Sequence, residues 1–133
     1  MTRHTGECFC GTIKYEITGP LKPARSCHCS RCRKAFSGAG STMSFVEPGS
    51  FTWIAGEQNL TQYINKQGIG IGFCKTCGTT LVALLDGEVF GYTLGPLNGN
   101  PDVEIAMHLF VDSKVDWDDI GGSAPQHAEY PIE

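Results

Sequence analysis

A strand pattern runs directly into a pair of thiols in the stretch Gly68-Ile69-Gly70-Ile71-Gly72-Phe73-Cys74-Lys75-Thr76-Cys77-Gly78. The alternation of apolar residues with glycine has the period of two that is typical of a β-strand. Two residues between the thiols let the chain fold back so that both sulfurs face one ion, and Gly78 permits the positive φ of such a turn. The stretch predicts a strand that ends in a zinc knuckle. A thioredoxin-like redox pair, the rival interpretation, needs a βαβ setting that this sequence does not offer.

Strand-period alternation also dominates the rest of the chain. The further candidate strands are 13–17, 43–45, 51–55, 81–85 and 103–111, separated by turn signals rich in glycine and proline. The run 81–85 is apolar on both faces, which indicates a central strand. Only 29–36 and 57–64 are compatible with a helical turn or two, and the segment after Gly121 is expected to be an ordered or fraying tail. The sequence predicts an all-β fold of packed, mainly antiparallel sheets.

Length and composition predict one globular domain over 1–133, because 41% of the residues are hydrophobic and 18% are charged. The first residues lack the apolar stretch of a signal peptide, and no later segment resembles a membrane span. These features predict a cytoplasmic protein without a membrane partner. Disulfides are disfavoured in the cytoplasm, and 7 cysteines are an odd number. The clustered thiols therefore indicate metal binding or catalysis.

A second pair of thiols, Cys8 and Cys10, completes a four-sulfur set with Cys74 and Cys77. In an extended segment two residues at this spacing point to the same side, because the strand period is two. Four thiolates close the tetrahedral coordination of zinc, which is the pattern of a structural site. The alternative is that Cys8 and Cys10 are buried cysteines without a ligand.

The remaining thiols, Cys27, Cys29 and Cys32, can surround one ion from a single short loop and leave a fourth position open. His28 lies between two of them and points the other way in an extended chain. A closed site of three cysteines and one histidine is the chief alternative, with His4, His108 or His127 as the fourth ligand. His108 is better explained as a partly exposed strand residue. Otherwise the open position takes water or a substrate thiolate.

Basic residues surround this triplet although the net charge of the chain is −4. Five of the 10 basic residues lie between 22 and 34, and no Asp or Glu occurs between Glu16 and Glu47. The nearest are Arg31, Arg33 and Lys34. A local basic island in an acidic protein favours a small anionic ligand over a nucleic acid, unless it is only a solvated face. A zinc ion with three thiolates is a weak Lewis acid toward water, so the site favours sulfur chemistry over hydrolysis.

Taken together, these motifs resemble the glutathione-dependent formaldehyde-activating enzymes and their relatives. The matching segments are 6–15, 27–34, 73–79 and 108–114, followed by Trp117, so the resemblance covers residues 6 to about 120. It implies a β-tent fold and a structural zinc held by one set of thiols, namely Cys8, Cys10, Cys74 and Cys77. It also implies a catalytic zinc at Cys27, Cys29 and Cys32.

The activity named for this family joins glutathione and formaldehyde to S-hydroxymethylglutathione, formally a carbon–sulfur lyase reaction run in reverse. The leading hypothesis is therefore a zinc-dependent lyase acting on a small thiol and a small carbonyl compound, with Arg31, Arg33 and Lys34 holding the carboxylates of the glutathione co-substrate. The second zinc is expected to be the more labile one. One alternative is a zinc enzyme acting on another small electrophile, such as an imine. The other is a non-enzymatic zinc- or redox-sensing or interaction module.

Overall fold

The computed structural model describes residues 2–131, which divide into two compact units. The first comprises residues 2–22 and 44–102, and the second comprises 23–43 and 103–131. Each unit is therefore built from two separate pieces of the chain. The single domain over 1–133 stays a prediction, and its two ends lie outside the described residues.

Short strands make up most of the secondary structure. In chain order the elements are β1 (Arg3–Glu7), β2 (Lys14–Thr18), β3 (Ala24–Cys27), α1 (Ser30–Phe36), β4 (Ser41–Phe45), β5 (Phe51–Ala55), a 3-10 helix (Glu57–Asn59), β6 (Leu60–Ile64), β7 (Ile69–Cys74), β8 (Thr80–Leu85), β9 (Glu88–Thr93), β10 (Ile105–Leu109) and a second 3-10 helix (Val111–Ser113). The prediction of an all-β fold is confirmed. No helix in the described part of the chain is long and apolar enough to cross a membrane.

Two antiparallel layers form the first unit: a sheet of order β1-β2-β5, and a ladder of order β9-β8-β7-β6. The inward-facing side chains of both layers make one core. Tyr15 of β2 lies opposite Gly6 of β1, where a Cβ atom would overlap the tyrosine ring, and it stacks on Phe51 with ring centroids 5.1 Å apart. Burial along Leu81–Leu84 confirms the prediction that β8 is a central strand.

Replacing Leu81 with alanine should destabilise the protein by about 2–5 kcal/mol, because a core leucine loses its packing and leaves a cavity. Leu81 is 0% exposed, whereas Leu85 of the same strand is 46% exposed. Leu85→Ala is the matched control and should lower the free energy of unfolding by well under half as much as Leu81→Ala. Urea titration of both variants measures the difference, and equal losses would contradict the assignment of the core.

The second unit contains a parallel strand pair that the predicted antiparallel pattern does not include. β10 pairs in parallel with β3, and β3 pairs antiparallel with β4. The tail is ordered against β10, since His108 N donates to Pro125 O at 2.8 Å and His127 N donates to His108 O at 2.9 Å. The segment after Gly121 is therefore paired with a strand and is part of the fold.

Three sequence-based expectations need correction. The segment Leu60–Ile64 is a strand, because it pairs with β7 over its whole length, and only Glu57–Asn59 is helical. The last strand is Ile105–Leu109, shorter than the predicted 103–111. Strands β1, β3 and β9 were not predicted; Arg3–Glu7, for example, shows no apolar alternation and is held by backbone pairing to β2.

Candidate metal centres

Four thiols meet in the first unit. The sulfur atoms of Cys8, Cys10, Cys74 and Cys77 all lie within 4.8 Å of one another. The Cys8 and Cys10 sulfurs are 3.6 Å apart, and the Cys10 and Cys74 sulfurs are 3.8 Å apart. A tetrahedron with Zn–S bonds of about 2.3 Å has edges of about 3.8 Å. The spacing of these sulfurs therefore fits a tetrahedral zinc ion.

Both cysteine pairs lie in glycine-closed turns. Gly11 has φ 80° and donates its N–H to Cys8 O at 2.9 Å, while Gly78 has φ 82° and donates to Cys74 O at 2.8 Å. The knuckle predicted after β7 is confirmed, but Cys8–Cys10 is a turn and not the predicted extended segment. A positive φ is readily adopted only by glycine, so both turns require a glycine at this position. Two similar turns thus bring the four thiols together.

Polar groups around the four thiols stabilise thiolate. Ile13 N donates to Cys8 Sγ at 3.3 Å, and Asn59 Nδ2 donates to Cys74 Sγ at 3.2 Å. A hydrogen bond from the Thr79 hydroxyl lowers the pKa of Cys77 to about 5, whereas burial raises the pKa of Cys8. Sequence reasoning did not find Asn59, because it contacts the thiols only through the fold.

Three thiols meet in the second unit, where their sulfurs also lie within 4.8 Å of one another. Cys27 ends β3, Cys29 is the N-cap of α1, and Cys32 lies in its first turn, donating its N–H to Cys29 Sγ at 3.4 Å. A hydrogen bond from the Cys27 thiol lowers the pKa of Cys32 to about 6, and the same bond raises the pKa of Cys27. Ser41 also hydrogen-bonds to Cys32 and favours its thiolate.

Within residues 2–131, no histidine or carboxylate joins these three sulfurs inside the 4.8 Å limit. His28 instead bonds to His108, with Nε2 and Nδ1 3.0 Å apart. The expected partial exposure of His108 was wrong, because the residue is only 7% exposed and its strand is flanked by β3 and the tail. The donor set is thus three thiols, a set that fits zinc with one further position.

The predicted basic residues lie on α1, the helix that carries Cys32. Arg31 and Lys34 are exposed, whereas Arg33 is half-buried and its Nε has no hydrogen-bond partner within the described structure. No acidic residue occupies the first turn of this helix. The three basic residues therefore lie on the same short helix as Cys32, directly after Cys27 and Cys29 in the chain.

The all-β fold and its two thiol clusters define the class of this protein: a cysteine-rich β-protein with side chains arranged to bind metal. The sequence model of the glutathione-dependent formaldehyde-activating enzyme matches residues 3–113. The chain belongs to this family.

Two relatives illustrate how far the similarity extends. An uncharacterised lyase of Schizosaccharomyces pombe is 28% identical over 95 residues, which are 71% of this chain and 62% of that protein. The match thus spans less than two thirds of that relative's length. A Rhodobacter sphaeroides protein of known crystal structure aligns with a TM-score of 0.60 at 24% identity, over 92% of this chain and 98% of the other. This second likeness concerns the fold.

Proposed function

We propose that this protein is a zinc-dependent carbon–sulfur lyase-type enzyme that joins glutathione and formaldehyde to S-hydroxymethylglutathione. The observation that carries the proposal is the difference between the two clusters: one offers four sulfurs and the other offers three. A tetrahedral ion is complete with four protein ligands and has a free position with three. Membership of the family supplies the thiol and the aldehyde as the candidate substrates.

In this proposal Cys8, Cys10, Cys74 and Cys77 hold a structural zinc, and Cys27, Cys29 and Cys32 hold a catalytic zinc. The fit of the first set rests on its tetrahedral spacing and on its N–H donors. Zinc at the second set would lower the pKa of an incoming thiol below its free value of about 8.5 and hold it as thiolate. Because fewer protein ligands hold it, the second ion is expected to be lost first.

The side chains around the three thiols have two tasks. Ser41 and the start of α1 orient the sulfurs and favour the ionised form of Cys32. Arg31, Arg33 and Lys34 would bind the carboxylates of glutathione, and guanidinium groups suit this because they pair with carboxylates through two parallel hydrogen bonds. The exposed positions of Arg31 and Lys34 leave both side chains available to a ligand.

The reaction forms one carbon–sulfur bond. The glutathione thiolate attacks the carbonyl carbon of formaldehyde, the π electron pair moves to oxygen, and a proton from solvent completes the hydroxymethyl group. Holding both reactants together removes much of the entropic cost of this bimolecular step. The basic side chains of α1 and the open thiol cluster at the end of β3 and the start of α1 would perform this positioning.

Formaldehyde consumption in the presence of glutathione tests the proposal. Zinc-loaded wild-type protein should exceed the uncatalysed rate, and Cys32→Ser should lose activity on the order of 100-fold, because the positioning of the thiolate is lost. Lys66→Ala is the control, since this exposed basic residue belongs to the other unit, and it should leave the rate unchanged. Equal rates for wild type and Cys32→Ser, or no rate above the uncatalysed one, would contradict the assignment.

A further inference from the structure

A short segment between β5 and β6 contacts both of the turns that carry the four thiols of the first unit. This connecting segment, Gly56–Asn59, begins against the first turn, because a Cβ atom at Gly56 would overlap the backbone carbonyl of Thr12. It ends against the second turn, where Asn59 O accepts a hydrogen bond from Lys75 N at 3.0 Å. Since Thr12 directly follows the first glycine-closed turn and Lys75 lies inside the second, the connecting segment reaches from one pair of thiols to the other.

The side chain of Asn59 is directed at the second turn. Its Nδ2 donates to Cys74 Sγ at 3.2 Å and to Thr76 Oγ1 at 3.0 Å. The residue is half-buried, and its backbone N–H donates to Gly56 O at 2.8 Å, so hydrogen bonds on both sides of the residue hold it in place. A thiolate only accepts hydrogen bonds, whereas an amide nitrogen only donates them. The orientation of Asn59 therefore suits Cys74 as a thiolate ligand.

Each of the four sulfurs has a polar neighbour at hydrogen-bond distance. The pairs are Cys8 with Ile13 N, Cys10 with Thr12 Oγ1, Cys77 with Thr79 Oγ1 and Cys74 with Asn59 Nδ2, at 3.2–3.3 Å. In the first three pairs the neighbour lies 5, 2 and 2 positions along the chain from its sulfur. Asn59 lies 15 positions from Cys74. Among these neighbours, Asn59 is thus the one that joins a thiol to a different segment of the chain.

A metal ion held by four thiolates needs such donors. Zinc carries two positive charges and the thiolates four negative ones, so the complex has a net negative charge. Hydrogen bonds to an ionised group are stronger than those between neutral groups, and a low local dielectric strengthens them further. Groups that hydrogen-bond to metal ligands fix the orientation of those ligands, and their loss typically weakens metal binding by roughly 10- to 100-fold.

We propose that Asn59 is a positioning residue of the four-thiol metal site: it holds Cys74 in the orientation for metal binding and so determines how firmly the ion is retained. Through the connecting segment, the same residue also fixes the two thiol turns relative to each other. This inference rests on the proposed structural metal site and is independent of the lyase activity. It assigns a function to a 3-10 helix that carries none of the thiols.

The test uses ¹¹³Cd²⁺, which binds thiolates as zinc does and gives a separate resonance for each occupied site. The full chain is loaded with this ion, and each resonance is assigned by its coupling to the Hβ protons of its own cysteines. Asn59→Ala should shift the resonance of the four-thiol site, and EDTA should remove that ion at a concentration about tenfold lower than in wild type. Unchanged retention, with or without a shift, would overturn the inference. If no resonance is coupled to the four cysteines, the proposed structural site fails as well.

Two control variants isolate the contact with sulfur. Asn98→Ala removes a hydrogen bond of the same kind in the same unit, from Asn98 Nδ2 to Thr5 Oγ1 at 3.0 Å, and should leave both the resonance and the retention unchanged. Thr76→Ala removes the second acceptor of Asn59 but keeps its contact with Cys74, and should change retention little. An effect of either control as large as that of Asn59→Ala would contradict the inference.

Asn59→Asp serves as the second variant if Asn59→Ala perturbs the fold. A carboxylate has nearly the shape of the amide, but it offers no donor to the sulfur and adds a negative charge beside the thiolates. This variant should therefore lose the ion at least as readily as is predicted for Asn59→Ala. Retention equal to that of the wild-type chain would show that the hydrogen bond to Cys74 is dispensable and would overturn the assignment.

Discussion

Replacing Cys77 with serine is expected to abolish cooperative folding at ambient temperature. The residue supplies one of four sulfurs that tie the turn after β1 to the turn before β8, sixty-odd residues later in the chain. Binding of a structural zinc contributes about 10–16 kcal/mol in zinc-finger peptides, and a whole domain is stable by about 5–15 kcal/mol. Losing a large part of the free energy of zinc binding therefore removes most or all of the free energy of unfolding.

The matched control is Cys32→Ser, which removes one sulfur from the three-thiol cluster. This variant should stay folded and retain one zinc per chain, because the four-thiol cluster is intact. Thermal unfolding followed by circular dichroism, together with elemental analysis, compares the two variants. Similar losses of melting temperature in both would contradict the division into a structural and a catalytic site.

Replacing Gly56 with alanine should destabilise the protein about as strongly as Leu81→Ala. Gly56 has φ 74°, and a Cβ atom there would collide with the backbone carbonyl of Thr12 and lie 3.0 Å from Ile13 Cα. The left-handed conformation costs a non-glycine residue about 1–2 kcal/mol. Because the obstacle is backbone, the collision should add about 1–3 kcal/mol. Gly56 O also accepts from Asn59 N at 2.8 Å, so a shift here would move a donor of the four-thiol cluster.

Gly49→Ala separates these two contributions. Gly49 has φ 82°, yet nothing lies within 4 Å of the position that its Cβ would occupy. It should therefore show the conformational cost without the collision, and its free energy of unfolding should exceed that of Gly56→Ala by about 1–3 kcal/mol. Urea titration of both variants measures this difference. Equal values would mean that the Thr12 backbone moves aside at little cost.

Prediction from sequence succeeded where the deciding forces are local. The alternation in Ile69–Cys74 predicts a strand and the two-residue thiol spacing predicts a knuckle, because period and turn chemistry act over a few residues. The prediction of an extended segment at Cys8–Cys10 failed, because a turn places the two sulfurs on the same side. The backbone hydrogen bond from Gly11 N to Cys8 O defines that turn, and a spacing of one residue does not distinguish it from a strand.

Contacts between distant parts of the chain were the other source of error. Asn59 meets Cys74 only because β6 pairs with β7, and nothing in its local sequence marks it as a donor to sulfur. His108 was expected to be partly exposed, since an alternating strand with one polar face normally borders solvent. The tail at Pro125–His127 pairs along the edge of that strand, and the His108 ring is hydrogen-bonded to His28.

The sequence by itself determined the number and grouping of the thiols, the dominance of strands and the family. These properties follow from residue type, spacing and period. Only the tertiary structure decided that Cys8–Cys10 is a turn, that β10 runs parallel to β3, and that His28 and His108 are hydrogen-bonded across 80 positions of the chain. The physical reason is that burial and hydrogen bonding are satisfied by whichever groups the fold brings together, and this pairing is not encoded in local pattern.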